Sequence, residues 1–141
     1  MKIKTACCAI LILCCFVVRE ASAQTVITSC KGIVGKTVVP PHTWFEDAFT
    51  GGSVTVVRQG AGYDLIIKDA LATFTALADG AKIIKLEGDD DKAFTLALSY
   101  PLGQVEVYRF KLDAAGRGVL LYGMFKDAAA RAALFSANCA R

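Results

Sequence analysis

The stretch that decides the fold is AFTLALSYPLGQVEVYRFKL, residues Ala93–Leu112. Every second residue from Phe94 to Tyr100 is bulky and apolar, and a period of two predicts a half-buried β-strand. Pro101–Gly103 marks a turn, and Gln104–Leu112 is typical of a second strand. In that second strand the parity of the apolar residues changes at Tyr108. This change predicts either a β-bulge near Tyr108 or a strand covered on both faces.

Similar runs continue on both sides of this pair of strands. Each is β-branched or aromatic and is bounded by Gly, Pro or Asp: residues 53–58, 63–68, 73–77, 82–86 and 118–125. Short strands at regular spacing with turn residues between them are typical of all-β domains. We therefore predict an all-β fold, an antiparallel meander of about seven strands that forms a small barrel or sandwich.

The segment before these strands, residues 24–52, lacks a steady period. Pro40-Pro41 lies in its middle, and a diproline is incompatible with a helix or a central strand. We expect this segment to wrap around the domain. Within it, residues 42–47 should form a loop or single turn that places Trp44 and Phe45 against the core.

An alanine-rich segment, Asp127–Ser136, follows the last predicted strand. Alanine is the best helix former, and an aspartate such as Asp127 is a preferred N-cap. We therefore expect a short C-terminal helix, which would close the domain and bring Cys139 toward Cys30.

Residues 1–23 have the three parts of a secretory signal peptide: a start with two lysines, the uncharged run Thr5–Val18, and a small-residue triplet that ends at Ala23. The apolar run is shorter than the roughly 20 residues that span a bilayer, so we expect no stable membrane span after cleavage. Cleavage between Ala23 and Gln24 would leave one β-rich domain, residues 24–141. The sequence thus predicts a secreted or periplasmic protein.

Four of the six cysteines lie inside the predicted signal peptide, which leaves Cys30 and Cys139. Two lone cysteines in an oxidising compartment usually pair, so we predict a Cys30–Cys139 disulfide. In an alternative interpretation, Ile27–Cys30 is a bacterial lipobox. Lipid attached to Cys30 would then anchor the protein to a membrane and leave Cys139 unpaired. Cleavage at Ala23 is favoured because the apolar core does not abut that box.

Charge and ligand spacing argue against several classes of function. The net charge of +3 falls close to zero once the signal peptide is removed, so no basic patch for nucleic acid is expected. One histidine and two distant cysteines do not match a zinc site. The segments Gly51-Gly52 and Gly60–Gly62 lack the strand, loop and helix order of a phosphate-binding loop. We expect no cofactor and no metal.

No catalytic motif is recognisable. His42 lies beside the diproline and outside any hydrolase motif, so we interpret it as a loop residue rather than a general base. The aspartates Asp89–Asp91 are interpreted as a solvated hairpin tip rather than a calcium loop. A glycosidase needs a carboxylate pair, but spacing singles out no two of the available candidates. These candidates are Asp64, Asp69, Asp79 and Glu106.

Seven aromatic residues are candidates either for the core or for a ligand pocket. They are Trp44, Phe45, Phe49, Tyr63, Tyr100, Tyr108 and Tyr122. Aromatic residues at strand parity usually pack inward, which favours the core. A barrel lined by them would instead carry a small apolar ligand.

Several short motifs together resemble small exported β-proteins of alphaproteobacteria related to the rhizobia. They are Ser29-Cys30, Pro40-Pro41, YDLII at 63–67, Asp79–Ala81, VEVYRF at 105–110 and the C-terminal cysteine. This resemblance covers most of the predicted mature chain. It implies export and a β-rich fold, and it assigns no activity. In size and disulfide the chain is also similar to periplasmic inhibitors of c-type lysozyme, although no residue of their binding motif can be placed here.

Together these features predict an exported, non-enzymatic β-domain that binds an envelope or extracellular protein. Two alternatives stay open. One is a β-barrel carrier of a small apolar ligand, and the other is a carboxylate-dependent hydrolase.

Overall fold

The structure, a computed structural model, describes residues 23–48, 51–90, 92–115, 117–126 and 129–140. Within these ranges the chain forms ten β-strands and no helix, and therefore no helix that could cross a bilayer. The strands are β1 (Gln24–Val39), β2 (Thr43–Ala48), β3 (Ser53–Gln59), β4 (Gly62–Lys68), β5 (Thr73–Thr75), β6 (Lys82–Asp90), β7 (Ala93–Ser99), β8 (Val105–Leu112), β9 (Arg117–Lys126) and β10 (Ala129–Ala140).

All ten strands belong to one antiparallel sheet. Its order is β5-β4-β3-β1-β10-β9-β8-β7-β6, and β2 pairs with β1. The sheet curls into a half-barrel. Its two ends approach each other where Nζ of Lys85, on β6, lies 5.7 Å from the ring centre of Tyr63, on β4. The predicted all-β, antiparallel fold is thereby confirmed, although the strand count is ten rather than seven.

The concave side of the curl is filled with apolar side chains. The rings of Phe94 and Phe110, on neighbouring strands, stack with their centres 4.9 Å apart. Burying such a side chain contributes roughly 1.5–3 kcal/mol to stability. The inside of the sheet is therefore a packed core. Its largest fully buried members include Phe94, Leu96, Leu98, Phe110, Leu120 and Phe135.

The predicted wrap over residues 24–52 is wrong, because most of this segment is strand. β1 is 16 residues long and lies near the middle of the sheet. One of its edges pairs with β10. The other edge pairs with β3 along its first half and with β2 along its second half. Pairing with β3 and then with β2 along the same edge stabilises β1 as a strand, although its sequence has no clear period of two.

The predicted loop over residues 42–47 is also mostly strand, since β2 begins at Thr43. A turn at Pro40-Pro41 connects it to β1, with the N–H of His42 donating to the carbonyl oxygen of Val39 at 2.9 Å. Trp44 and Phe45 do not reach the core. They are 65% and 43% exposed.

The predicted C-terminal helix is wrong as well. Residues 129–140 form β10, which pairs with β1 on one side and β9 on the other. Helix propensity is a weak preference that tertiary contacts override. Here Ala133, Phe135, Ala137 and Cys139 are buried at every second position, so the segment follows the period of a strand. The proposed N-cap, Asp127, lies outside the described residues.

The parity change in β8 does not produce a bulge, because the ladders to β7 and β9 run without a register shift. Val105 and Val107 face outward. The inward series is Glu106, Tyr108, Phe110 and Leu112, all of them buried. The change of parity arises because the first inward position is a glutamate rather than an apolar residue.

Cys30 and Cys139 are joined in a disulfide, as predicted. The two residues lie directly opposite each other in the β1–β10 ladder and are buried. Gly118 of β9 makes room for the bond, because a Cβ there would lie 2.6 Å from Sγ of Cys139. The disulfide thus links the two central strands.

Candidate functional site

Glu106 is the clearest departure from an apolar interior. β8 turns its side chain to the concave side together with Tyr108, and the residue is only 6% exposed. A buried carboxylate is costly unless other groups satisfy it. Its surroundings are therefore the first candidate for a functional site.

Four donors satisfy the carboxylate of Glu106. Its Oε1 accepts hydrogen bonds from Nε2 of Gln104 at 2.7 Å and from the hydroxyl of Tyr122 at 3.3 Å. Its Oε2 accepts from the hydroxyls of Tyr108 at 2.9 Å and Tyr100 at 3.3 Å. A carboxylate offers about four acceptor positions, so all of them are used. We call these five residues the Glu106 cluster.

All four donors are uncharged. Burial, followed by the negative charge of Glu106, raises the pKa of Tyr100, Tyr108 and Tyr122 above that of a free tyrosine. The three phenols therefore stay protonated at physiological pH. Hydrogen bonds from neutral groups stabilise the carboxylate but do not cancel its charge.

Among the described residues, the cation that interacts with the Glu106 cluster is Arg131. Burial and Glu106 raise the pKa of Tyr122, and the positive charge of Arg131 lowers it by less. Its Nη2, however, is paired with Oδ2 of Asp47 at 2.8 Å, and Asp47 also accepts a hydrogen bond from Thr37. The charge of Arg131 is thus largely committed to Asp47.

A cavity of about 190 Å³ adjoins the cluster. This volume is below the roughly 300–1,000 Å³ of pockets for drug-sized ligands, so the cavity suits only a compact molecule. One part of its wall is polar and the other is apolar. The polar part consists of Asp79, Tyr100, Gln104 and Glu106, and the apolar part of Leu65, Ile67, Phe74 and Ala76.

The four candidate carboxylates have different surroundings. Asp64 accepts hydrogen bonds from two backbone N–H groups at 2.8 and 3.1 Å. Asp69 accepts from two others, both at 2.7 Å, and these bonds lower its pKa. Asp64 and Asp69 therefore fix local backbone. The structure brings Glu106 and Asp79 to the same cavity, and the described residues contain no group of three potential metal ligands.

Sequence reasoning considered Glu106 only as one of four carboxylates and missed its tyrosine partners. The available signal was the parity of β8, where Glu106 precedes Tyr108 on the same face of the strand. Tyr122 lies opposite Tyr108 in the β8–β9 ladder, with ring centres 4.9 Å apart. An acidic residue at an inward position, next to tyrosines on that face, indicates a buried polar cluster.

His42 lies at a separate position, in the turn between β1 and β2. Its φ of 87° is in the left-handed region, which is uncommon for residues other than glycine. Together with Arg131 it borders a mostly apolar cavity of about 200 Å³. Its imidazole makes no hydrogen bond to any residue that the structure describes, so the structure gives it no partner for general-base chemistry.

The remaining candidates are dispersed. Tyr108 is buried, whereas Tyr63, Tyr100 and Tyr122 are half-buried and pack on the core. Phe49 lies outside the described residues. So do Asp91 and the side chains of Asp89 and Asp90, which leaves the interpretation of that segment as a hairpin tip or a calcium loop untouched.

The convex side of the sheet carries a second candidate site. Six large apolar residues are 40–54% exposed there: Val34, Val105, Val119, Leu121, Phe125 and Leu134. We call them the outer apolar face. Leu134 lies directly opposite Leu121, and Val105 lies opposite Phe125, so two pairs of these side chains are neighbours across adjacent strands. Gly123 separates the two pairs along β9, and Val34 lies opposite Ser136. Contiguous apolar patches on soluble proteins commonly mark interaction sites.

Cationic residues flank the outer apolar face. Lys36 of β1 continues the row that contains Leu134, and Arg109 of β8 ends the same row beyond Leu121. Lys111 occupies the next outward position of β8. On the β1 side, however, Nζ of Lys36 is paired with Oε1 of Glu46 at 3.2 Å. The surface is therefore apolar at its centre and basic along the side formed by β8.

The comparison with known proteins adds no relative. No protein-family model matches the chain, and neither a curated protein nor a solved structure is detectably similar to it.

Proposed function

We propose that the chain is an exported, non-enzymatic binding domain that docks a partner protein on the outer apolar face. One observation carries this proposal: six large apolar side chains are exposed on one surface of the sheet, and four of them form two directly opposed pairs. Covering them removes apolar area from water, which is the main driving force of protein association. The concave side, by contrast, is occupied by packed apolar side chains.

The positive charges of Arg109 and Lys111 support a partner surface that is apolar at its centre and acidic along the margin that meets β8. Complementary charges of this kind steer association and fix its register. The six side chains project from strands rather than from loop tips. They form a broad surface that suits the face of another folded protein.

The hydrogen bonds of the candidate carboxylates support the proposal that the domain is not an enzyme. Asp64 and Asp69 are engaged by backbone N–H groups. Glu106 is engaged by four neutral donors. A general acid or base has to exchange a proton with a substrate within hydrogen-bond reach. Glu106 has no acceptor position left for a substrate, and Oδ1 of Asp64 and of Asp69 each already accepts two hydrogen bonds from the backbone.

Two features support export. A disulfide between Cys30 and Cys139 is compatible with an oxidising compartment. β1 begins at Gln24, the residue that follows the expected cleavage site. A Cys30 sulfur bonded to Cys139 is not available for lipid attachment, which favours a secreted or periplasmic protein over a lipoprotein.

Site-specific photocrosslinking in the exporting cell tests the proposal. A photoreactive amino acid at position 121 should give a discrete adduct with another protein. The same probe at position 102 is the control, because Leu102 is 80% exposed but belongs to the turn between β7 and β8 rather than to the outer apolar face. Leu134→Asp should abolish the adduct at 121, whereas the matched variant Leu102→Asp should leave it intact.

Because basic residues border the outer apolar face, raising the ionic strength should lower the yield of the adduct. Equal adducts from positions 121 and 102, or an adduct that survives Leu134→Asp, would overturn the proposal. Adducts only with lipid, or only with a second copy of the chain, would overturn it as well.

A further inference from the structure

We propose that the cavity beside Glu106 binds a small organic cation, an ammonium group carried on a compact apolar body. This site lies on the concave side of the sheet and is independent of the outer apolar face. Its polar wall holds two carboxylates, Glu106 and Asp79, and its apolar wall includes Phe74 and Ile67. A ligand with a charged end and an apolar end matches both walls at once.

The charge of Glu106 is the first argument. Its four hydrogen-bond donors are neutral, so none of the groups that contact this buried carboxyl group supplies a positive charge. Buried charges are normally paired, because desolvation is otherwise uncompensated. Arg131, which acts from the far side of Tyr122, is held by Asp47. A cation in the cavity would supply the missing countercharge.

The hydrogen-bond geometry shows which atoms would receive the ammonium. The acceptor positions of Glu106 are occupied, but Tyr100 donates its proton to Glu106 and keeps lone pairs on its own oxygen. Asp79, whose side chain is exposed to solvent, provides a second carboxylate at the same cavity. Burial and Glu106 raise the pKa of Tyr100 most, and the charge of Asp79 raises it further. Asp79 and Tyr100 are therefore close enough to interact electrostatically. The Tyr100 oxygen and the Asp79 carboxylate are thus the direct acceptors.

The walls favour an organic cation over a metal ion. Calcium takes six to eight oxygen ligands, whereas about half of this wall is hydrocarbon. The rings of Phe74 and Tyr100 can also attract an ammonium group through their π faces. A volume of about 190 Å³ limits the ligand to a single small ring or a short chain.

Two probes of the same shape and different charge test the inference. Benzylammonium and benzyl alcohol are titrated separately into the oxidised, exported chain, with affinity measured by calorimetry and location by NMR shifts of Phe74 and Tyr100. We expect benzylammonium to bind at least tenfold more tightly. Asp79→Asn should remove most of that preference and leave the affinity for benzyl alcohol unchanged.

Asp69→Asn is the matched control, since Asp69 occupies an exposed turn outside the cavity and should leave both affinities unchanged. Glu106→Gln keeps the shape of the side chain, and where it stays folded by circular dichroism it should also lower the preference for the cation. Equal affinities for the two probes, tighter binding of the alcohol, binding of neither probe, or a cation affinity unaffected by Asp79→Asn would each overturn the inference. The crosslinking at position 121 reports on a different surface, so the two proposals can fail separately.

Discussion

At the scale of single residues, Glu106 shows how a carboxylate can be kept inside a β-sheet core. Tyrosine combines an apolar ring with a polar end, so it can pack in a core and still present a donor. Tyr100, Tyr108 and Tyr122 do this from three different positions around one carboxylate. Sequence reasoning identified these tyrosines as inward-facing, but their convergence on Glu106 depends on strand register, which no local pattern encodes.

This arrangement predicts loss of stability at alkaline pH. The folded pKa values of Tyr100, Tyr108 and Tyr122 lie above the ordinary value of 10.0. Above pH 10 the unfolded chain therefore releases protons that the folded chain keeps, and the free energy of unfolding falls as pH rises. Of the four tyrosines, these three should ionise only as the sheet unfolds. Tyrosinate absorbance and far-ultraviolet circular dichroism, followed together, check this; full ionisation with an intact sheet would contradict it.

At the scale of elements, prediction succeeded where the signal is local. The seven predicted strands correspond to β3–β9, each of which has its own periodicity and bounding turns. β1, β2 and β10 were missed because their strand conformation depends on one another. β10 has the composition of a helix, and only its pairing with β1 and β9 makes it a strand.

The contact between β1 and β10 is tight at Gly35, which leads to a prediction. A Cβ at Gly35 would overlap the carbonyl oxygen of Leu134 and lie 2.8 Å from Cα of Phe135. Gly35→Ala therefore has to push the two strands apart, and overpacking of this kind costs about 1–3 kcal/mol. Urea denaturation should show a drop of this size in the free energy of unfolding.

Gly62→Ala is the matched control for Gly35→Ala, because the nearest atom to its new Cβ is 3.7 Å away. Its effect should stay within about 0.5 kcal/mol, as for most surface substitutions. If the two substitutions had equal effects, the close approach of β1 and β10 would not limit stability.

At the scale of the whole molecule, the sheet is held together at its middle. In the hydrogen-bonded strand order, β10 links the piece formed by β1–β5 to the piece formed by β6–β9. The disulfide crosses this junction, joining residues 109 positions apart in sequence. The number of cysteines and the expected oxidising compartment were enough to predict that Cys30 pairs with Cys139. They did not predict that the bond joins two central strands.

Removing the disulfide should therefore weaken the whole sheet. The double variant Cys30→Ser, Cys139→Ser should lose about 2–5 kcal/mol of unfolding free energy, the range for native disulfides. Reduced wild-type protein is the control and should show a similar loss. Alkylation followed by mass analysis should find no free thiol in the oxidised chain. Two reactive thiols, or an unchanged stability in the double variant, would contradict the prediction.

The central place of β10 also sets the order of events in time. Among the described strands, β1 is synthesised first and β10 last. β1 therefore cannot pair with β10 until synthesis of the described chain is nearly complete. Until then, one edge of β1 and one edge of β9 stay open, and the two pieces of the sheet cannot join. Pairings between distant parts of a chain form slowly. The local hairpins of β3–β5 and β6–β9 can therefore form before the complete sheet, which needs β10 as its last strand.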